Sequence, residues 1–110
     1  DALKRRCLYH WIDYPDAEKE LAIVQARAPH VRAQLARQVV AFVHAVRAQE
    51  LYKLPGVAET LDWLAALGAL DETALNEPVV ADTLGALLKT REDIGHVRAI
   101  LPQVLSAITP

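Results

Sequence analysis

The stretch VRAQLARQVVAFVHAVRAQE, residues 31–50, decides the fold. Val31, Leu35, Val39, Phe42 and Val46 recur at steps of three and four, which puts them on one side of an α-helix. Val40 and Val43 widen that stripe, so this helix is expected to form the spine of the core. Arg32, Arg37 and Arg47 fall off the stripe and are expected in solvent. His44 lies at the stripe's edge, where a satisfied or half-exposed structural histidine is expected rather than a ligand.

Upstream, Pro29 separates this helix from another expected over about 16–28. Asp16 can cap it, and Leu21, Val24 and Ala28 give it an apolar side. The carboxylates at 16, 18 and 20 suggest acid–base chemistry at first sight. They are better explained as charges in a first turn, where the helix dipole favours anions. Residues 7–12, Cys-Leu-Tyr-His-Trp-Ile, are aromatic and β-favouring and read as a short strand that Tyr14-Pro15 stops. A lone strand has unpaired backbone groups, so this one belongs to a sheet supplied from elsewhere or is not a strand here. Trp11, in that segment, is expected to be exposed or recruited into an oligomer contact.

Downstream, Tyr52-Lys53-Leu54-Pro55-Gly56 breaks the helix. A third helix is expected over about 57–67, with Val57, Leu61 and Leu64 on one face and Gly68 as its stop. Trp63 within it is expected to pack in the core. Asn76-Glu77-Pro78 starts a fourth helix, carried on by Val80, Leu84, Leu87 and Leu88. Thr90-Arg91-Glu92-Asp93 is a variant capping box, with Asp where Glu is commoner. The apolar run Ile94, Val97, Leu101, Val104, Ile108 follows, and Pro102 within it is expected to kink or split the helix. The fold expected is all-α: a small bundle of about four to five helices over residues 16–110, preceded by a short segment, residues 1–15.

Composition agrees. Of 110 residues, 53% are hydrophobic, chiefly Ala, Leu and Val, and only 5% are aromatic, which favours packed helices over a sheet. The net charge of −2 gives no general attraction to nucleic acid. The single cysteine, Cys7, cannot form an internal disulfide, so a reducing, cytoplasmic setting is the simplest. No apolar stretch is long enough to span a bilayer, and no apolar core follows Lys4-Arg5-Arg6 as in a signal peptide. A chain with no Met, even at position 1, is expected to be a piece of a longer one whose missing motifs lie upstream.

Chemistry-bearing motifs are scarce. There is no glycine-rich phosphate loop and no dinucleotide fingerprint, and the four glycines are scattered. The histidines at 10, 30, 44 and 96 have no metal-ligand spacing, so no metal site is expected. Ser106, the only serine, has no hydrolase context.

Three stretches together resemble the MoxR-type AAA+ ATPases. The first runs from Ala2-Leu3-Lys4-Arg5-Arg6-Cys7-Leu8 to Ile12-Asp13-Tyr14-Pro15, similar to a Leu-Asp-Arg-Phe, short strand, Val-Asp-Tyr-Pro pattern. The second, Leu54-Pro55-Gly56-Val57-Ala58-Glu59-Thr60-Leu61-Asp62-Trp63, resembles the start of the helix carrying the sensor-2 region. The third, Leu87-Leu88-Lys89-Thr90-Arg91-Glu92-Asp93, looks like the lid end in the subgroup associated with von Willebrand A-domain proteins and carbon monoxide dehydrogenase maturation. The resemblance covers roughly residues 2–94.

The resemblance implies a C-terminal AAA+ lid, with residues 1–15 as the tail of the ATPase core. ATP and magnesium would be the parent's cofactors, with none expected in this piece. Partners would be the upstream core, neighbouring subunits of a ring and a von Willebrand A-domain protein, without nucleic acid or membrane. Arg5 would be the arginine finger, with Arg6 one position away as the competing choice; a guanidinium forks onto phosphate oxygens. Val57 stands where many relatives carry the sensor arginine, and Lys53 or Arg91 would be the substitutes. The alternative is a free-standing helical adaptor that binds a protein through a groove. A DNA-binding reading, suggested by the arginines of residues 31–50, conflicts with the overall acidity.

Overall fold

The computed structural model describes residues 14–71 and 74–108. Among them the chain forms six helices and no strand: α1 (Ala17–Arg27), α2 (Ala33–Arg47), α3 (Val57–Ala69), α4 (Glu77–Leu87), α5 (Arg91–Ala99) and α6 (Leu101–Ile108). The strand expected over 7–12, with Trp11, lies outside the described residues, as do Arg5 and Arg6.

Helix α2 is the spine. Seven of its fifteen residues are buried: Leu35, Ala36, Val39, Val40, Phe42, Val43 and Val46. It has no side-chain cap and no acidic residue in its first turn, so packing rather than local signals holds it. It touches α1, α3 and α6, and α3 packs closely on α4. Each large apolar side chain buried there contributes about 1.5–3 kcal/mol. Phe42 and Trp63 meet with centroids 5.1 Å apart, joining α2 to α3. Trp63 is fully buried as expected, and its indole N–H donates to Thr83 Oγ1 at 2.8 Å, which settles its one polar atom.

The capping chemistry follows the sequence. Asp16 accepts from Lys19 N at the start of α1, Asn76 from Val79 N at α4, and Thr90 from Asp93 N at α5. Pro102 splits the last run, ending α5 at Ala99 and sitting second in α6, where its missing N–H costs nothing.

Two readings of α3 need correction. Gly68 does not stop the helix, which continues to Ala69. The left-handed residue is Asp71 (φ 59°), whose N–H reaches Gly68 O at 3.0 Å; Asp tolerates this region better than most residues. The buried face also differs. Thr60, Trp63, Leu64 and Leu67 are buried, while Val57 and Leu61 lie on its flank. Trp63 and the polar Thr60 turn the helix, because both find hydrogen-bond partners inside.

Candidate functional site

The most connected polar cluster centres on Glu20, which is fully buried in α1. Arg47, in the last turn of α2, holds it with a two-pronged grip: NH1 to Oε1 at 2.6 Å and NH2 to Oε2 at 2.9 Å. His44 Nε2 lies 2.8 Å from Oε1, and Thr60 Oγ1 donates to Oε2 at 2.9 Å. Each carboxylate oxygen therefore has two donors, the full capacity of the group. Burial pushes the Glu20 carboxyl up, but the Arg47 guanidinium, the Thr60 hydroxyl and His44 outweigh it and hold the carboxyl below its ordinary 4.5.

Arg47 makes two further contacts. Its Nε donates to Pro55 O at 2.7 Å, in the loop that leads into α3. Its guanidinium lies 4.5 Å from the centroid of the Tyr14 ring. One side chain thus ties together α1, α2, the start of α3 and the segment that enters the bundle at Tyr14.

Beside this clasp lies a groove of about 900 Å3. Tyr14, Pro15 and Asp16 form one lip, and Val57 closes it at the start of α3. Lys19, Ile23, Ala26 and Arg27 line it from one side of α1. Ile23 is one of three exposed large hydrophobic residues among those described, at 36% exposure. The two helix N-termini beside the groove are already occupied by carboxylates. Asp16 Oδ1 accepts from Lys19 N at 2.8 Å, and Glu59 Oε1 accepts from Gly56 N at 2.8 Å. A phosphate placed at either terminus would meet a carboxylate, so neither helix N-terminus is free to take one.

A second buried carboxylate, Asp93 in α5, does a different job from the one expected. Thr90 supplies its half of the capping box, but the Asp93 carboxylate turns away to the loop after α2. Its Oδ1 accepts from Tyr52 N at 2.8 Å and its Oδ2 from Lys53 N at 3.0 Å. Asp93 thereby draws the Lys53 loop against the first turn of α5, which Arg91 opens. Both cationic side chains are exposed, and neither enters the Glu20 cluster or lines the groove.

Among the described residues no group of His, Cys, Asp and Glu could hold a metal ion, and no buried side-chain polar atom lacks a partner. His44 is a satisfied, part-exposed histidine, as its place on the stripe suggested. One other expectation is overturned: Arg47, expected in solvent, has a side chain only 7% exposed. Glu20 lies in the first turn of α1 as expected, but it is fully buried there. Each explains the other, because a buried carboxylate draws in the nearest guanidinium. The signal was present in the spacing: Glu20 sits four residues before buried Val24, and Arg47 four after buried Val43. Thr60 gave no such signal.

Comparison with protein families, curated proteins and solved structures finds no match for this chain.

Proposed function

We propose that this chain is the C-terminal helical lid of a MoxR-type AAA+ ATPase, which in its parent closes over bound ATP. There it would couple hydrolysis to the remodelling or maturation of a partner complex. One observation carries the reading beyond the sequence resemblance. Two of the three stretches it depends on lead into helices: α1 starts at Ala17, just after Tyr14-Pro15, and α3 at Val57, just after Leu54-Pro55-Gly56. The Tyr14 ring, at the entry from the core, packs on Arg47, which also fixes the loop before α3. A movement of the entering segment would thus have a contact path, through Arg47, to the helix in the sensor position.

ATP would be held by the parent's core and not by these helices, since Val57, Asp16 and Glu59 offer no phosphate contact. The lid's part is mechanical: a bundle held rigid at its entry by the Glu20–Arg47 pair. Calorimetric titration of ATP with magnesium into residues 1–110 should show no binding at micromolar concentrations, and micromolar affinity would refute the assignment. The encoding reading frame gives a second test. About 200 residues before Asp1, the size of one domain, should contain a phosphate loop.

The groove favours a second reading, a protein-binding adaptor domain. A natural polypeptide beginning close to Asp1 would support it over the lid.

A further inference from the structure

The groove between the Tyr14 lip and α1 has features of a docking surface. Its apolar part is Ile23, Ala26 and Val57, with Ile23 more than a third exposed. Two cations, Lys19 and Arg27, stand on the same side of α1 as Ile23, four residues before it and four after. Both are exposed. The facing carboxylate, Asp16, is engaged in capping α1. Apolar contact flanked by cations at one-turn intervals complements a segment that carries apolar residues between carboxylates.

The groove is also a built feature. Its three walls are the entering segment, α1 and the start of α3, and the Glu20–Arg47 pair ties all three to α2. Its shape is therefore set before any partner arrives, which lowers the entropy cost of binding.

We propose that this groove docks an acidic, apolar segment of a partner protein, with Ile23 and Val57 contacting its apolar side chains and Lys19 and Arg27 pairing with its carboxylates. A protein segment suits the groove better than a small phosphorylated ligand, because Ile23, Ala26 and Val57 call for apolar side chains that a phosphate lacks. The chain's own N-terminus suits it poorly on charge, since Lys4-Arg5-Arg6 would face Lys19 and Arg27. The surface serves a lid or an adaptor alike, so it does not depend on the ATPase assignment.

The test is a titration of the full 110-residue chain, 15N-labelled, with the peptide acetyl-Glu-Leu-Phe-Glu-Glu-Leu-amide, followed by amide chemical shifts. Saturable shifts clustered on Lys19, Ile23, Ala26, Arg27 and Val57 are expected. The double variant Lys19→Glu/Arg27→Glu alters only exposed positions and should weaken binding about tenfold. Equal binding of the same peptide with Lys in place of Glu would overturn the proposal, as would shifts centred elsewhere. Larger shifts of the groove amides with ATP than with peptide would also overturn it. A synthetic peptide of residues 1–13 checks the remaining occupant. If it shifts the groove amides at lower concentration than the acidic peptide does, the chain's own N-terminal residues are the better ligand and the proposal fails.

Discussion

Replacing Arg47 with Met removes the charge that holds Glu20 and keeps most of the apolar stem. Glu20 is fully buried and the Arg47 side chain nearly so, so the variant leaves a carboxylate inside the protein without its guanidinium, held only by Thr60 and His44. Removing one partner of a buried pair costs about 3–5 kcal/mol. Glu20 can limit that loss by taking up a proton. At pH 7, protonating a carboxyl with its ordinary value of 4.5 costs about 3.4 kcal/mol, at 1.36 kcal/mol per pH unit. At pH 5 the same step costs only about 0.7 kcal/mol. The bond to Pro55 O adds about 1 kcal/mol and the stacking on Tyr14 about 0.5–1 kcal/mol, lost at either pH. The expected penalty is therefore about 3–5 kcal/mol at pH 7, smaller by about 2–3 kcal/mol at pH 5. Urea unfolding followed by far-ultraviolet circular dichroism at the two pH values measures it. Because a typical domain has only about 5–15 kcal/mol in all, the double variant Glu20→Leu/Arg47→Met is the companion. With no orphaned charge it should be more stable at pH 7 than Arg47→Met alone. A pH-independent penalty below about 1 kcal/mol would refute the reasoning, since the pair would then behave like an exposed one.

The same carboxyl governs acid stability. Glu20 is held below 4.5 when folded, so its contribution is complete above that pH and disappears as pH falls through the lower folded value. Unfolding curves of the wild type and Glu20→Gln should therefore converge below pH 4.5, and parallel pH profiles would contradict this. Asp93→Ala removes the acceptor for Tyr52 N and Lys53 N and should cost about 1–3 kcal/mol. Amide exchange at residues 52 and 53 should accelerate by more than the change in global stability explains. Gly85→Ala and Gly95→Ala should each stabilise by about 0.5–1 kcal/mol, because both sit inside helices with nothing within 4 Å of the added Cβ; thermal unfolding checks them.

The helical architecture was legible because apolar periodicity and helix ends are local signals. The stripe of α2, the caps at Asp16, Asn76 and Thr90 and the break at Pro102 each need only a few neighbouring residues to be read. What escaped depends on residues distant in sequence. Glu20 and Arg47 are 27 positions apart, and each looks like a solvated surface charge until the other is brought within reach. Asp93 satisfied the local rule for a capping box and then used its carboxylate 40 residues away. Gly68 shows the opposite error: a local stop signal was overridden, and the turn at Asp71 supplies the left-handed residue three positions later. The candidate site was least legible, since its groove arises where the entry segment, α1 and α3 converge.

The proposed AAA+ lid is tested most directly by ATP turnover of the full-length protein with Arg5 and Arg6 changed to Ala, singly and together. Loss of the finger should lower turnover by about 10³-fold with ATP affinity little changed, because a finger serves the neighbouring subunit's site. Turnover unaffected by the double variant, or a full-length protein with no ATPase activity at all, would contradict the proposal.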